Sequence, residues 1–172
     1  MLDVRLSKKR HIFIHQTKLI NKIIREFSPK IKGIEKDTPM SVHEHVIIPD
    51  ENEGKSMLKR YQHGVGSFLY LVKLSRPDLT NSVRELSKCM TKCNIASYNQ
   101  MLRVISYLKM YNNYGINLKW NQKMNENIDL KCYVDSDWGG DTVNRKSISG
   151  WIITFNGNPI MWRSKHQSIV DQ

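Results

Sequence analysis

The chain has 172 residues, of which 40% are hydrophobic and 25% are charged, and 27 Lys and Arg against 16 Asp and Glu give a net charge of +11. This apolar content supplies a core and excludes wholesale disorder, and no run of about 18 apolar residues is present to span a membrane. Three cysteines are too few for a disulfide scaffold. Because a secretory signal is also lacking, we expect an intracellular protein of the cytoplasm or nucleus that is not secreted.

The positive charge is unevenly distributed along the chain. Residues 128–172 hold five basic and five acidic residues, so the whole excess lies in residues 1–127. Such a field attracts polyanions and points first to nucleic acid or an anionic surface. A solvated basic surface without a dedicated partner fits the composition equally well.

The first 56 residues predict two strands, a helix and a long connection. Residues 2–6 alternate apolar and polar side chains, the period of a strand, and a second short strand follows at His11–His15. Apolar residues recur at helical spacing over Thr17–Phe27, with Thr17 as a candidate cap and Pro29 as the stop. Residues 28–56 are polar and rich in turn formers, which indicates a connection.

Three helices are predicted next. The first covers about residues 57–74 and is expected to bury Leu69 with its other apolar residues, although Gly64 and Gly66 weaken it. The second helix is predicted to start at Arg76-Pro77-Asp78, because Pro suits a first helical turn. The third helix covers about residues 97–110.

Strands return in the last third of the chain. Apolar and polar residues alternate over 114–120 and again over 128–134. Residues 151–155 and 159–162 then flank Asn156-Gly157-Asn158, which is a strong hairpin signal.

Three carboxylates lie close together at the end of the strand that begins near residue 128: Asp135, Asp137 and Asp141. The first two are two residues apart, so their side chains tend toward one face of a strand, where like charges repel unless a cation lies between them. Mg²⁺ prefers such oxygen ligands and commonly takes one or two carboxylates together with substrate phosphate. Asp also favours strand exits and tight turns, and the spacing by itself favours that interpretation.

Two other patterns suggest zinc but lack its ligand spacing. His43 and His45 have no second pair of Cys or His at finger spacing, and Cys89 and Cys93 are one helical turn apart. We expect no zinc site.

The residues from Tyr133 to Gln167 resemble the start of the ribonuclease H domain of copia-type long-terminal-repeat retrotransposons, whose pattern is Y-T-D-A-D-W-A-G-D, R-K-S-T-S-G-Y and G-N-P-I-W-S-S-K-K-Q. The matching positions are Tyr133, Asp135, Asp137, Trp138, Gly140, Asp141, Arg145, Lys146, Ser147, Ser149, Gly150, Trp162, Ser164, Lys165 and Gln167.

The preceding chain is similar to the same family in the same order. VGSFLYLVKLSRPDL, at 65–79, resembles V-G-S-L-L-Y-L…R-P-D-I, and Tyr107-Leu108-Lys109 matches part of R-Y-L-K-G-T. Gln16 and Thr38-Pro39-Met40 also match. Among the departures, Ser106 stands where the family has Arg, and neither the polymerase motif aromatic-Val-Asp-Asp nor S-S-x-E-A-E is present.

The resemblance implies an α+β fold in three parts. Residues 1–56 would be the end of the reverse transcriptase palm, reduced to a short β-hairpin, with a thumb helix and linker. Residues 57–127 would be a helical connection region with a following strand. Residues 128–172 would be the first strands of an incomplete ribonuclease H-like mixed sheet.

The resemblance also implies a site. Asp135 matches the first metal ligand of a ribonuclease H site and is the candidate catalytic and metal-binding residue, with Asp137 as a second candidate ligand. Phosphate contacts are expected from basic residues, which bind without reading sequence. The candidates are Lys8, Lys9, Arg10, Lys18, Lys22, Arg25, Arg145, Lys146 and Lys165.

The implied parent carries out RNA-directed DNA synthesis and RNA–DNA hybrid cleavage with Mg²⁺, within a Pol polyprotein that also serves DNA integration. One matched carboxylate cannot hold two metal ions, so we expect this chain by itself to be inactive, to hold no cofactor stably and to retain affinity for an RNA–DNA hybrid or template–primer. Two alternatives stay open. In the first, the chain is a recruited nucleic-acid-binding or interaction module. In the second, it is an enzyme whose remaining carboxylates come from another chain.

Overall fold

The computed structural model describes residues 2–6, 11–28, 31, 35–41, 46–51, 54–119, 128–137 and 147–167. The chain is α+β, as predicted, and within these ranges it has four helices and two three-stranded sheets; the sheet predicted to be mixed, β4–β5–β6, is antiparallel in the described strands. The assignment of these elements to palm, thumb and ribonuclease H, and the three domain boundaries, stay predictions. No helix in the described ranges has both the length and the apolar content to cross a membrane.

The elements follow one another in this order: β1 (Asp3–Leu6), β2 (His11–His15), α1 (Thr17–Phe27), α2 (Lys55–Leu74), a 3-10 turn (Pro77–Leu79), α3 (Thr80–Ser87), α4 (Ile95–Met110), β3 (Gly115–Lys119), β4 (Leu130–Asp137), β5 (Ile148–Phe155) and β6 (Asn158–His166). They divide into two compact units. Met1–Asp3 with His15–Gly115 form the helical unit, and Val4–Ile14 with Ile116–Gln172 form the β unit.

The helical unit contains one apolar core. The apolar stripe of α1 is buried as predicted, through Ile20, Ile23 and Phe27. Helix α2 contributes Tyr61 and Phe68 among others, but Leu69 is 46% exposed, so the prediction that it is buried was wrong. Leu69 lies on a different side of α2 from the buried residues Tyr61 and Phe68.

Helices α2 and α4 approach closely at Gly64. A Cβ atom at this position would collide with the sulfur of Met101, which is fully buried. The glycine that weakens α2 as an isolated helix therefore allows the two helices to pack. Tyr61 adds a link between α2 and α3, because its hydroxyl donates to the Leu86 carbonyl at 2.6 Å.

The helix starts differ from the prediction. Gln16, not Thr17, occupies the cap position of α1 and makes no side-chain cap bond. The Thr17 hydroxyl lies 2.8 Å from Nδ1 of His15 instead. Helix α4 begins at Ile95, two residues before the predicted start, because Asn94 and Ser97 form a reciprocal capping box.

In the β unit, one sheet has the order β1-β2-β3 and the other the order β4-β5-β6. Strands β4, β5 and β6 are antiparallel neighbours, and the predicted hairpin at residues 156–158 is confirmed. A two-residue hairpin turn of type I′ requires positive φ angles at both central residues. Asn156 and Gly157 meet this requirement, with φ angles of 48° and 76°.

Candidate nucleic-acid interface and acidic strand end

The R-P-D segment, which carries part of the family resemblance, forms a buried ionic anchor. Arg76 is fully buried. Its Nε and Nη2 atoms donate to the two carboxylate oxygens of Asp78 at 3.0 and 2.7 Å, and Nη1 donates to the Tyr111 carbonyl at 2.9 Å. A paired, bidentate guanidinium is the form in which a buried Arg is stable.

Aromatic rings complete this anchor. The Arg76 Cζ lies 5.6 Å from the centre of the Tyr107 ring and 5.8 Å from that of Tyr114, both within the range of cation–π attraction. The Tyr107 hydroxyl donates to Asp78 at 2.9 Å. Burial, followed by the charge of Asp78, raises the pKa of Tyr107 to about 12, so this hydroxyl remains a donor at neutral pH. The segment therefore connects α2 and α4, a role that the sequence did not indicate.

Helix α1 presents the predicted phosphate-binding candidates Lys18, Lys22 and Arg25 on its exposed side. Lys18 lies 3.2 Å from Asp3, and Lys22 lies 4.0 Å from Glu26. Both lysine side chains are about two thirds exposed, at 69% and 65%. The Lys22–Glu26 pair is exposed and therefore weak, so phosphate can compete for Lys22, whereas Asp3, the partner of Lys18, is only 18% exposed.

Helix α2 continues the basic surface of α1. Arg60 lies over the ring of Phe27 at 5.6 Å, and His63 lies 3.4 Å from Glu26, so the last turn of α1 contacts α2. Helix α2 has nine exposed residues, and six of them recur at spacings of four, four, three, four and three; the other three are Ser56, Arg60 and Leu69. We call these six the α2 stripe: Lys55, Lys59, His63, Gly66, Tyr70 and Lys73.

The α2 stripe is a single face of the helix. Its spacing averages 3.6 residues, and at 1.5 Å per residue it extends over about 27 Å. Helix α2 contains no acidic residue. The stripe was not predicted because polar residues at helical spacing are typical of any solvent-facing side of a helix, although the spacing and the lack of acidic residues are visible in the sequence.

Gly66 has no packing role in the helical unit. A Cβ atom there would meet nothing within 4 Å, in contrast to Gly64. Glycine inside a helix costs about 1 kcal/mol relative to alanine, and packing does not explain that cost here. A bare helix backbone between Lys59 and Tyr70 lets a ligand approach more closely than any side chain would allow.

The remaining basic candidates are dispersed or undescribed. Lys8, Lys9, Arg10, Arg145 and Lys146 lie outside the described residues. Lys165 is exposed on β6 and pairs with Ser149 of β5, which pairs with Ser136 of β4. Since directly opposed residues share a face and successive residues of a strand do not, Lys165 and Asp135 lie on opposite faces of this sheet.

Asp135 is exposed near the end of β4, opposite Gly150. Gly150 leaves the space beside Asp135 open, because it has no side chain. Asp137 is the last residue of β4, and Asp141 lies outside the described residues. Oxygen donors suit Mg²⁺, but two positions on one strand supply only part of a coordination shell, so the fit to a two-metal site is partial.

Within the described ranges, no cluster of three or more His, Cys, Asp or Glu side chains is placed to hold a metal. Cys89 and Cys93 are buried in the helical unit, and His43 and His45 lie outside the described residues.

The geometry thus defines an α+β protein with a basic helical face and an exposed carboxylate at a strand end. The chain is 34% identical over 128 residues to the Retrovirus-related Pol polyprotein from transposon RE2 of Arabidopsis thaliana, which covers 74% of the chain and 8% of that protein. It is 28% identical to the corresponding polyprotein from transposon TNT 1-94 of Nicotiana tabacum, covering 99% of the chain and 13% of that protein. The chain belongs to the copia-type retrovirus-related Pol polyprotein family.

A third relative is not a polyprotein by name. The Secreted RxLR effector protein 161 of Plasmopara viticola is 34% identical over 110 residues, which are 64% of the chain and 75% of that protein. No protein-family model and no solved structure matches the chain. The chain spans about a tenth of the length of the Pol polyproteins that it matches, since it covers 8% of one and 13% of the other.

Proposed function

We propose that this chain is a segment of a retrotransposon reverse transcriptase and ribonuclease H, and that this segment binds nucleic acid through α1 and α2. The observation that supports this most is the α2 stripe, which contains Lys55, Lys59 and Lys73 on a helix without acidic residues; Glu26 of α1 is the acid beside it, at 3.4 Å from His63. Lysines in such a row bind phosphates regardless of sequence, and Tyr70 offers a flat ring for a base. The partner is a template–primer or an RNA–DNA hybrid, and the site of action is the cytoplasm or nucleus.

In the parent polyprotein, the activities would be RNA-directed DNA synthesis and hybrid cleavage with Mg²⁺. When bound, Mg²⁺ would stabilise the charge that develops on the attacked phosphate. Asp135, with Asp137 as a second candidate, would supply oxygen ligands from β4. We infer no cleavage by this chain on its own, because two carboxylates leave a pair of ions under-coordinated.

Binding as a function of salt tests the proposal. Each phosphate contact adds about 0.9 to the slope of log affinity against log salt concentration. The double variant Lys59→Gln/Lys73→Gln should therefore lower the slope for an RNA–DNA hybrid by about 2. Fluorescence anisotropy over a range of salt concentrations measures it.

A matched control removes two exposed lysines elsewhere, as Lys109→Gln/Lys119→Gln. This control should change the slope little. Equal slopes for the two double variants would mean that the attraction is diffuse, and α2 would then not be the interface.

The effector relative favours a second candidate function. Its matched region is three quarters of its own length, so a segment of this kind occurs outside a full polyprotein. The chain would then be a recruited interaction or nucleic-acid-binding module. A hybrid-cleavage assay with Mg²⁺ addresses the enzyme alternative, because cleavage that Asp135→Asn abolishes would refute the proposal that the chain is inactive.

A further inference from the structure

Three tyrosines at the end of α4 form a continuous row of aromatic rings, which we call the tyrosine row: Tyr107, Tyr111 and Tyr114. Each ring centre lies 4.8 Å from the next, and the planes are tilted by 47° and 42°. These separations are in the range at which aromatic rings attract each other. Tyr107 is 7% exposed and Tyr114 is 48% exposed, so the row begins in the core of the helical unit and ends in solvent.

Arg76 holds the outer ring of the tyrosine row in place. Its Cζ atom lies 5.8 Å from the centre of the Tyr114 ring, and its Nη1 atom donates to the Tyr111 carbonyl at 2.9 Å. The Tyr114 N–H donates to the same carbonyl at 3.3 Å. A side chain that is already held in one place loses less conformational freedom on binding than a freely rotating one. The Tyr114 ring is therefore both accessible and preorganised for a planar ligand.

The charge around the tyrosine row favours a polyanion. The sequence contains no Asp or Glu between residues 86 and 125, a range that includes α4, β3 and the turn that joins them. The carboxylate that contacts the row is that of Asp78, which accepts from the Tyr107 hydroxyl at 2.9 Å and is paired with Arg76. A strand of phosphates that crosses this turn therefore meets no acidic side chain from α4 or β3 to repel it.

The turn after α4 also contacts the basic side of α1. The Asn112 side chain donates to the Asn21 side chain at 3.4 Å. Asn21 is exposed on α1 next to Lys22, and Arg25 donates through Nε to its carbonyl at 3.3 Å. Because two residues span at most about 7 Å, the Cα atom of Tyr114 lies within about 7 Å of that of Asn112. A strand whose phosphates contact α1 therefore has an exposed aromatic ring within reach.

We propose that the Tyr114 ring stacks on a base of an unpaired strand whose phosphates bind the basic side of α1. The inference rests on the proposed function and specifies its partner further. Bases inside a duplex are stacked on one another, whereas the bases of a single strand have free faces that stack on aromatic side chains whatever the sequence. The tyrosine row thus favours a hybrid with a single-stranded extension over a blunt hybrid.

Anisotropy titrations with two ligands test the stacking. One ligand is a blunt RNA–DNA hybrid, and the other is the same hybrid with a single-stranded extension. The extension should raise the affinity of the full chain about tenfold, and Tyr114→Ala should abolish this gain. Tyr114→Phe keeps the ring and should keep the gain. Tyr133→Ala is the matched control, because Tyr133 is similarly exposed, at 56%, but lies on β4, and it should also keep the gain.

Photocrosslinking of the unaltered chain gives a second test that does not depend on the folding of a variant. An iodouracil base in the extension should crosslink to Tyr114, and the same base inside the duplex should not, as mapped by mass spectrometry. The inference is overturned if the extension adds no affinity, if Tyr114→Ala keeps the gain or Tyr114→Phe loses it, or if the crosslinks map elsewhere.

Failure of the proposed function has a different signature. In that case Lys59→Gln/Lys73→Gln would leave the salt dependence for the blunt hybrid unchanged. A crosslink at Tyr114 together with that result would assign the interface to α1 and the tyrosine row instead of α2.

Discussion

The helical unit and the sheet β4–β5–β6 use their apolar residues in opposite ways. In the helical unit, large side chains such as Tyr61 and Phe68 are fully buried. In the sheet, Tyr133, Val134 and Met161 are more than half exposed. A helical unit that buries the apolar faces of its helices can be stable by itself. A three-stranded sheet with solvent-exposed apolar side chains gains stability when another surface covers them. The difference separates a helical unit with a buried core of its own from a sheet whose apolar side chains are largely exposed.

Thiol labelling should show the largest contrast between the two regions. Cys89 and Cys93 are buried in the helical core and Cys132 is exposed on β4. Burial, followed by the nearby Cys93, raises the pKa of Cys89 to about 11, which leaves little thiolate at neutral pH. We expect Cys132 to react about a thousandfold faster than the buried pair, because the core must open first. Mass spectrometry after timed alkylation measures the rates, and comparable rates would show that the helical core is open.

Removing the Arg76 guanidinium should destabilise the helical unit most among single changes. Arg76→Met leaves Asp78 without its bidentate partner, and breaking a buried pair costs about 3 kcal/mol at the lower end of the usual range. Because Asp78 remains about a third exposed, the lower end applies. Denaturant unfolding measures the loss. The exposed control Lys109→Met should change stability by less than about 0.5 kcal/mol, and equal effects would refute the anchor.

The two glycines of α2 offer a matched pair. Gly64→Ala should lower the stability of the helical unit by about 1 kcal/mol, because the new Cβ displaces buried Met101. Gly66→Ala should raise it by up to about 1 kcal/mol, because nothing opposes the added Cβ. Thermal melts of both variants measure the signs, and the same sign for both would contradict the packing described.

Gly66→Ala also separates stability from binding. If a ligand backbone approaches α2 at this point, the variant should bind an RNA–DNA hybrid more weakly while melting at a higher temperature. Tyr70→Ala should weaken binding by about 1–3 kcal/mol if a base stacks on the ring. Anisotropy titrations measure both, and unchanged affinity in the two variants would remove the central part of the α2 stripe from the interface.

Alkaline pH should also destabilise the helical unit. The pKa values of Cys89 and Tyr107 are raised in the folded chain, to about 11 and about 12, by burial first. The unfolded chain loses these protons at lower pH than the folded chain. Their contribution to stability is therefore complete below the unfolded pKa values and falls as pH rises from about 9 to 12. Melting temperatures across this range test the sign, and Tyr107→Phe should flatten the upper part of the fall.

Much of the fold was predictable because periodicity is a local property. The helical spacing in Thr17–Phe27 and the turn residues of the β5–β6 hairpin each carry their signal within a few positions. The burial of Arg76 was not predictable in this way. Its partners Tyr107, Tyr111 and Tyr114 are more than thirty residues away, and no pattern of hydropathy marks a buried cation.

The candidate site was predictable only in part. Lys18, Lys22 and Arg25 were identified by charge, and they are exposed on α1. The α2 stripe was missed because its polar residues resemble the ordinary solvent side of an amphipathic helix. Only the helix contacts, Arg60 with Phe27 and His63 with Glu26, show that the two basic faces adjoin.

Lysine acetylation in the presence and absence of an RNA–DNA hybrid tests the central claim most directly. If α2 is the interface, the hybrid should protect Lys55, Lys59 and Lys73, and leave Lys109 and Lys119 as reactive as in the free chain. Protection that is equal at all five lysines, or that appears only outside the helical unit, would contradict the assignment of nucleic-acid binding to this helix.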